Sequence, residues 1–336
     1  MLGRVRGRAR ERAKRYLPAT QRTAQAAAAA AHEAAEAADT TRRELERLAA
    51  EVREVREKLT ERDLAAGHRI VLDYPVTPRS RFGHGQPTHL QLHEIISANQ
   101  ARYRERLDQI LAVVDDLHRL PITEPADPTE PFWANPWLPG LDVAALYAFL
   151  VHHDPALYLE VGSGTSTKVA RRAIGDHHLR TRIVSIDPHP RAEIDALCDE
   201  VIRSPLEDCD LAVFDRVQAG DVVFIDNSHR VFTNSDVTVV FWEVLPRLAT
   251  GTLIHLHDIF LPDDYPPDWA QRYYSEQYVL AALLLGGART VHTELPCWYV
   301  ATHQELAERL WPLFVPLGDD VQRHGNSYWF TTARPQ

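Results

Sequence analysis

Cysteine, methionine and long apolar runs are all scarce in this sequence. Three cysteines (Cys198, Cys209 and Cys297) stand among 336 residues without CxxC spacing. No disulfide framework is suggested, and the three read as reduced thiols of a cytoplasmic protein. No stretch approaches the roughly 18–20 apolar residues that a bilayer requires. The alanine run Ala26–Ala31 follows a basic stretch in the order of a secretion signal. It is short and bounded by Gln25, His32 and Glu33, and is not read as one. A net positive charge is concentrated at the start of the chain. The net charge is −10, although Arg4, Arg6, Arg8, Arg10, Arg12, Lys14, Arg15 and Arg22 face Glu11 alone at the start. The acidic remainder argues against a nucleic-acid partner. With 45% hydrophobic and 25% charged residues, the composition suits one large domain plus an extension, or two domains.

Residues 1–65 read as helix. Ala24, Ala27, Ala31, Ala34, Ala38, Thr41, Leu45, Leu48, Val52, Val55 and Leu59 step by alternating threes and fours, a heptad seam. The expectation is a coiled coil and a homo-oligomer formed through it; the alternative is a solvated helix lying on its own catalytic domain. Leu2, Val5, Ala9, Ala13 and Tyr16 form a second, smaller apolar face among arginines. It is too small to make membrane contact the expectation. Residues 66–136 read as a linker, a helix from about His89 to Leu120 that Pro121 stops, and a Pro/Trp-rich arm. The arm's Phe132, Trp133 and Trp137 must find apolar cover.

Residues 137–336 read as one domain in which strands and helices alternate. Strands are expected at Leu157–Val161, Arg182–Ile186, Val201–Ile202, Asp221–Ile225 and Thr252–Leu256, with β-rich runs near Cys297–Thr302 and Ser327–Thr332. Helices are expected at Lys168–Ile174, Ala192–Asp199, Asp236–Leu248 and Gln271–Leu285. This is an α/β, doubly wound, Rossmann-like sheet. Its first strand runs into Gly162-Ser163-Gly164 and then a helix. Main-chain N–H groups and a helix N-terminus would thus face a ligand. Asp187 ends the next strand, where an acid can accept hydrogen bonds from ribose hydroxyls. A dinucleotide and S-adenosylmethionine both suit this loop. A dinucleotide site wants a third glycine where Thr167 stands, and its pyrophosphate would be repelled by Glu160. A sulfonium compound bearing an α-ammonium group would be attracted by that carboxylate, so S-adenosylmethionine is the expected cofactor.

The segments YLEVGSGTSTKVA, IVSIDPHP, VVFIDNSH and GTLIHLHDIF together resemble the class I S-adenosylmethionine-dependent methyltransferases. The resemblance is nearest to the bacterial branch of small-molecule O-methyltransferases and the cephalosporin-hydroxylase-like group, and spans about residues 135–335. It implies that Glu160, Gly162, Ser163 and Gly164 hold the amino-acid part and ribose, that Asp187 binds the ribose, and that Glu207 lies near adenine. In metal-dependent O-methyltransferases of this fold, a carboxylate follows strand four and an acid–amide pair follows strand five. Asp226 and Asp258 match the two acids. The amide has no match, and His257 precedes the second acid instead.

Three readings of Asp226, His229, His257 and Asp258 stay open. A divalent cation such as Mg or Mn could bind Asp226 and Asp258 and hold substrate oxygens. Alternatively His229 or His257 acts as general base beside Asp226, or the groups are structural. His255 reads as a core histidine. The loop rich in aromatics and acids around Asp263–Tyr278 suits a wall over the acceptor. The expected function is methyl transfer to a hydroxyl of a small molecule, a sugar or a secondary metabolite. A cephalosporin-hydroxylase-like metal enzyme and a non-catalytic coiled-coil assembly protein are the alternatives.

Overall fold

The computed structural model describes residues 2–65, 73–190, 193–287 and 291–332. The chain divides into two units, residues 1–77 and 78–336. Part of the expected linker (66–72) and the start of the helix expected at 192–199 lie outside the described residues. In the first unit, α1 is a single helix, Leu2–Ala65. Ion pairs one turn apart, such as Arg47–Glu51 at 3.2 Å and Lys58–Glu54 at 2.7 Å, line its outer faces. Among the described residues, no helix is long and apolar enough to cross a membrane.

The second unit opens with α2 (Leu90–Ser97), α3 (Gln100–Ala112) and α4 (Val114–Leu117). Leu92, Ile96, Tyr103, Leu107, Ile110 and Leu117 from these helices and Trp133 from the arm are all buried in the main core. The boundary near residue 77 therefore places the arm in the same body as the sheet.

Next come α5 (Gly140–His153), β1 (Leu157–Val161), α6 (Thr165–His177), β2 (Arg182–Ile186), β3 (Glu200–Ile202) and β4 (Val222–Ile225). The helix after β4 starts as α7 (Asp236–Val239), widens to a π turn over Val240–Val244, and ends as α8 (Leu245–Arg247). The chain closes with β5 (Leu253–Leu256), α9 (Glu276–Leu285), β6 (Val291–Pro296), α10 (Cys297–Thr302), α11 (Gln304–Arg309), α12 (Trp311–Phe314) and β7 (Tyr328–Thr332).

The sheet order is β3-β2-β1-β4-β5-β7-β6. The first five strands are parallel, and β7 runs antiparallel to β5 and β6. Strand order reverses between β1 and β4, the place where open α/β sheets bind ligands. Val161 pairs with Ile225, and Ile225 with Leu256. Gly162, Asp226 and His257 therefore leave the sheet side by side at its carboxyl edge.

Four expected elements differ. The helix expected from His89 to Leu120 is broken into α2, α3 and α4, and of the one expected at Ala192–Asp199 the described residues show a single 3-10 turn, Asp195–Leu197. Cys297–Thr302 is helix, not strand; the strand precedes it and ends at Pro296. Proline has no N–H to continue a ladder, and Cys297 and Val300 are buried three residues apart, a helical spacing. The helix expected from Gln271 starts only at Glu276, because Tyr273 takes a left-handed φ of 54°.

One glycine is demanded by this packing. Gly162 has a φ of 80°, and a Cβ there would lie 1.8 Å from the Asp226 carbonyl oxygen. At Gly164 a Cβ would meet nothing within 4 Å. Gly162→Ala should therefore cost at least about 1–3 kcal/mol in unfolding free energy from the backbone alone, read from urea midpoints. Gly164→Ala should leave the midpoint nearly unchanged. Equal losses at the two positions would show that the close approach of β1 to β4 is not what requires Gly162.

Candidate active site

A cavity of about 910 Å³ opens at the carboxyl edge. Gly162, Ser163, Asp187 and Glu207 line one end; Asp226, His229, His257 and Asp258 line the other. Gly164 faces a smaller adjoining cavity of about 300 Å³ that shares Ser163 and Asp226.

Asp187 is held by the main chain. Its carboxylate accepts from Ser163 N–H (2.8 Å) and His189 N–H (2.8 Å), which fixes it beside the loop. Glu160 is placed differently from the expectation. It lies under the loop, fully buried, and accepts from Thr167 Oγ1 (2.5 Å), Ser166 Oγ (3.2 Å) and Tyr158 OH (3.2 Å). Burial raises its carboxyl to about 7 against the pull of these hydroxyls. Thr167 also accepts from Gly164 N–H at 3.1 Å. The carboxylate thus anchors the loop from below and does not line the cavity as a partner for an ammonium group.

At the other end the organising residue is His229. It follows β4 in a left-handed turn (φ 58°) and is buried. Asn227 shapes the turn, its Oδ1 accepting from His229 N–H at 2.9 Å. The ring's Nδ1 lies 2.9 Å from Glu276 Oε2. Its Nε2 lies 3.2 Å from Asp226 Oδ1 and 3.4 Å from Asp258 Oδ2. Burial disfavours the imidazolium, but Asp226, Glu276 and Asp258 outweigh it and raise the ring well above the usual histidine range. Burial likewise works to raise Asp226, yet His257 and His229 hold its carboxyl below the usual range. The Asp226 side chain keeps 36% of its surface exposed, against 10% for Asp258 and 1% for Glu276. Asp226 is the open carboxylate of the cluster.

Asp258, also left-handed (φ 55°), accepts from Asn326 Nδ2 at 2.8 Å. The amide lacking beside residue 258 thus comes from the chain before β7. Asp142 on α5 sets it there by accepting from the N–H groups of Asn326 (2.8 Å) and Ser327 (3.1 Å). His257 points Nε2 toward the Trp137 carbonyl at 3.3 Å. His255 stacks on Phe224 at 3.7 Å and meets Ser327 Oγ, as a core residue.

Between Asp226 and Asp258, where a cation was expected, stands the ring of His229. His229 Nε2 already lies against an oxygen of each. Among the described residues, no group of three or more His, Cys, Asp or Glu side chains is arranged to hold a metal ion. The charge a cation would bring is supplied by the imidazolium.

An aromatic wall of the cavity is formed by Trp137, Phe260, Trp269, Tyr274 and Trp298. Arg272 lies 3.7 Å over the Trp269 ring. Segment 78–89 adds His84, which packs on Trp298 and meets the Asp264 carbonyl at 2.9 Å. Sequence reasoning missed His84 and Asn326, and counted Glu276 with the wall of the loop Asp263–Tyr278 and not as the partner of His229. Glu276 and Asn326 lie 47 and 68 residues from their partners, and no local pattern marks them.

With the geometry assembled, residues 159–259 match the family model of a methyltransferase domain. That stretch of the chain is similar to a methyltransferase domain. The matched span runs from β1 to the residue after Asp258 and leaves out Glu276 and Asn326. Among curated proteins, none matches the chain. Among solved structures, it is similar to an O-methyltransferase from Bacillus cereus in complex with SAH: 15% identity, 68% of this chain and 91% of that one, TM-score 0.33. It is also similar to a Podospora anserina methyltransferase bound to SAH, with 14% identity over 63% and 93% of the two chains and a TM-score of 0.34. A plantazolicin methyltransferase in complex with SAH aligns at 11% identity over 70% and 99%, with a TM-score of 0.35.

The ion cluster of this domain makes its stability depend on pH. The folded state raises the His229 pKa, so the stabilisation is complete below the unfolded value of about 6.5 and is lost as pH rises through the folded value. Glu276→Gln should lower the pH at which the His229 ring loses its proton, measured by NMR of the imidazole. It should also cost about 3 kcal/mol or more at neutral pH, as removal of one buried charge partner does. An unchanged titration in the variant would show that Glu276 does not govern this ring.

Proposed function

We propose that the protein transfers a methyl group from S-adenosylmethionine to a hydroxyl of a small molecule. The observation that carries this reading is the open carboxylate of Asp226, in one cavity with Gly162, Ser163 and Asp187. The fit to the cofactor rests on three features: the empty space beside Gly164, a main-chain-fixed acid at Asp187 for two ribose hydroxyls, and the exposed Glu207 at the same end. When bound, S-adenosylmethionine supplies a methyl group on a sulfonium centre.

The chain's own part is to hold the acceptor and take its proton. Asp226 accepts the hydrogen bond of the acceptor hydroxyl and orients its lone pair. As the oxygen gains a methyl group its proton becomes strongly acidic, and a carboxylate suffices to receive it even with a lowered pKa. His229 balances the charge of Asp226 and Asp258, and Glu276 fixes the ring through Nδ1. Aromatic walls beside polar groups suit a ring-bearing acceptor with several hydroxyls, a sugar or a secondary metabolite.

Asp187→Ala should weaken S-adenosylmethionine binding at least tenfold, because hydrogen bonds to a charged group contribute about 1.5–3 kcal/mol each. Asp187→Asn keeps an acceptor for only one of the two main-chain N–H groups, Ser163 or His189, and should weaken binding by less. Calorimetry reads both, and undiminished binding in both would remove the cofactor assignment.

Asp226→Asn should abolish transfer while leaving cofactor binding in place. Activity should persist on the acid side to pH values below the ordinary carboxylate range, because Asp226 stays ionised there. A free imidazole base would instead lose activity near pH 6.5. Transfer should survive EDTA. Loss on chelation, with recovery only on adding Mg or Mn, would restore the metal reading, for which Asn326 Oδ1, buried without a partner, offers an oxygen.

A further inference from the structure

The seam of α1 is absorbed by none of this chemistry. Leu45, Leu48, Val52, Val55 and Leu59 are 50–66% exposed along it, and every seam position from Ala24 to Leu59 is exposed. A surface helix of a globular protein turns its apolar stripe inward; this one turns its stripe to solvent. The ion pairs Arg47–Glu51 and Lys58–Glu54 join one flank of the seam to the outer face and leave the seam positions themselves clear.

We propose that α1 pairs with α1 of a second copy of this chain, parallel and in register, as a two-stranded coiled coil. The unbroken three-and-four spacing from Ala24 to Leu59 keeps one stripe facing a partner over about five heptads. Orientation follows from the flanks. With Ala24 and Ala27 as a and d, one flank carries Arg42, Ala49 and Arg56 and the other Glu44, Glu51 and Lys58. Parallel helices bring opposite flanks together, so that Glu51 meets Arg56 of the partner subunit on both sides of the seam. Antiparallel helices bring like flanks together and, with the full stripe paired, set Arg42 against Arg42 of the partner subunit. Register follows from size. Parallel pairing lays the alanine half on alanine and the Leu/Val half on Leu/Val, whereas antiparallel pairing of the full stripe sets alanines against leucines and leaves gaps. This inference is independent of the methyl-transfer reading.

Sedimentation equilibrium of the full chain should give twice the single-chain mass of 38.1 kDa. Leu48→Glu with Val52→Glu and Val55→Glu should return it to one chain. Glu51→Arg alone should weaken association roughly 3- to 10-fold by setting like charges together. Adding Arg56→Glu should restore it, a rescue that helix damage cannot produce. For orientation, a nitroxide label is placed by Ala24→Cys in a Cys198→Ser/Cys209→Ser background. Two labels should lie within about 20 Å across a parallel pair of helices, and about 50 Å apart in an antiparallel pair. A wild-type mass other than two chains, a mass indifferent to the triple change, failed charge rescue or the long distance would each overturn the proposal.

Discussion

A single imidazolium ties together the edge of the sheet where the chemistry is expected. His229 reaches Asp226 after β4, Asp258 after β5 and Glu276 at the start of α9. Three carboxylates so close would repel one another in a buried place, and each would be driven to take up a proton. The ring between them eases that conflict, helping to hold Asp226 below the usual carboxylate range while burial still raises Asp258 and Glu276. It also explains why His229 and Asp258 are held in left-handed backbone conformations, which cost free energy and persist only where surrounding contacts enforce them. The strain falls on the two residues whose side chains must turn back toward one point.

The opposite end of the cavity uses the same device with different chemistry. A buried carboxylate, Glu160, is capped by hydroxyls and not by a cation, and it fixes the glycine loop from beneath. Thr167, standing where a dinucleotide fingerprint would carry glycine, links that acid to Gly164 N–H. The feature that argued for a sulfonium cofactor by charge thus acts first on the loop's own shape. Asp187, tied to the loop by Ser163 N–H, is the acid left facing the cavity.

Much of the fold was legible from period and punctuation. Five apolar runs ending in Val161, Ile186, Ile202, Ile225 and Leu256 are strands within a residue or two of the expectation, because buried parallel strands write themselves as continuous apolar stretches. Errors fell where a helix and a strand share a pattern. Cys297–Thr302 is apolar and β-prone, yet Pro296 ends the ladder before it. Asp226, His229, His257, Asp258, Gly162, Ser163, Asp187 and Glu207 were all legible as lining residues, since a strand's end is readable and parallel strands end on one edge.

What the sequence by itself determined is this alternation, the switch point with its glycine loop and acids, and the heptad seam of α1, all of which depend on residues near one another in the chain. The tertiary structure alone decided that His229 lies between the two acids, that Glu276 and Asn326 complete the cluster, that Glu160 is buried, and that His84 joins the aromatic wall of the cavity. Each of these depends on side chains brought together across tens to hundreds of residues, and on which of several carboxylates keeps an open face. Those outcomes follow from packing, which local spacing does not encode.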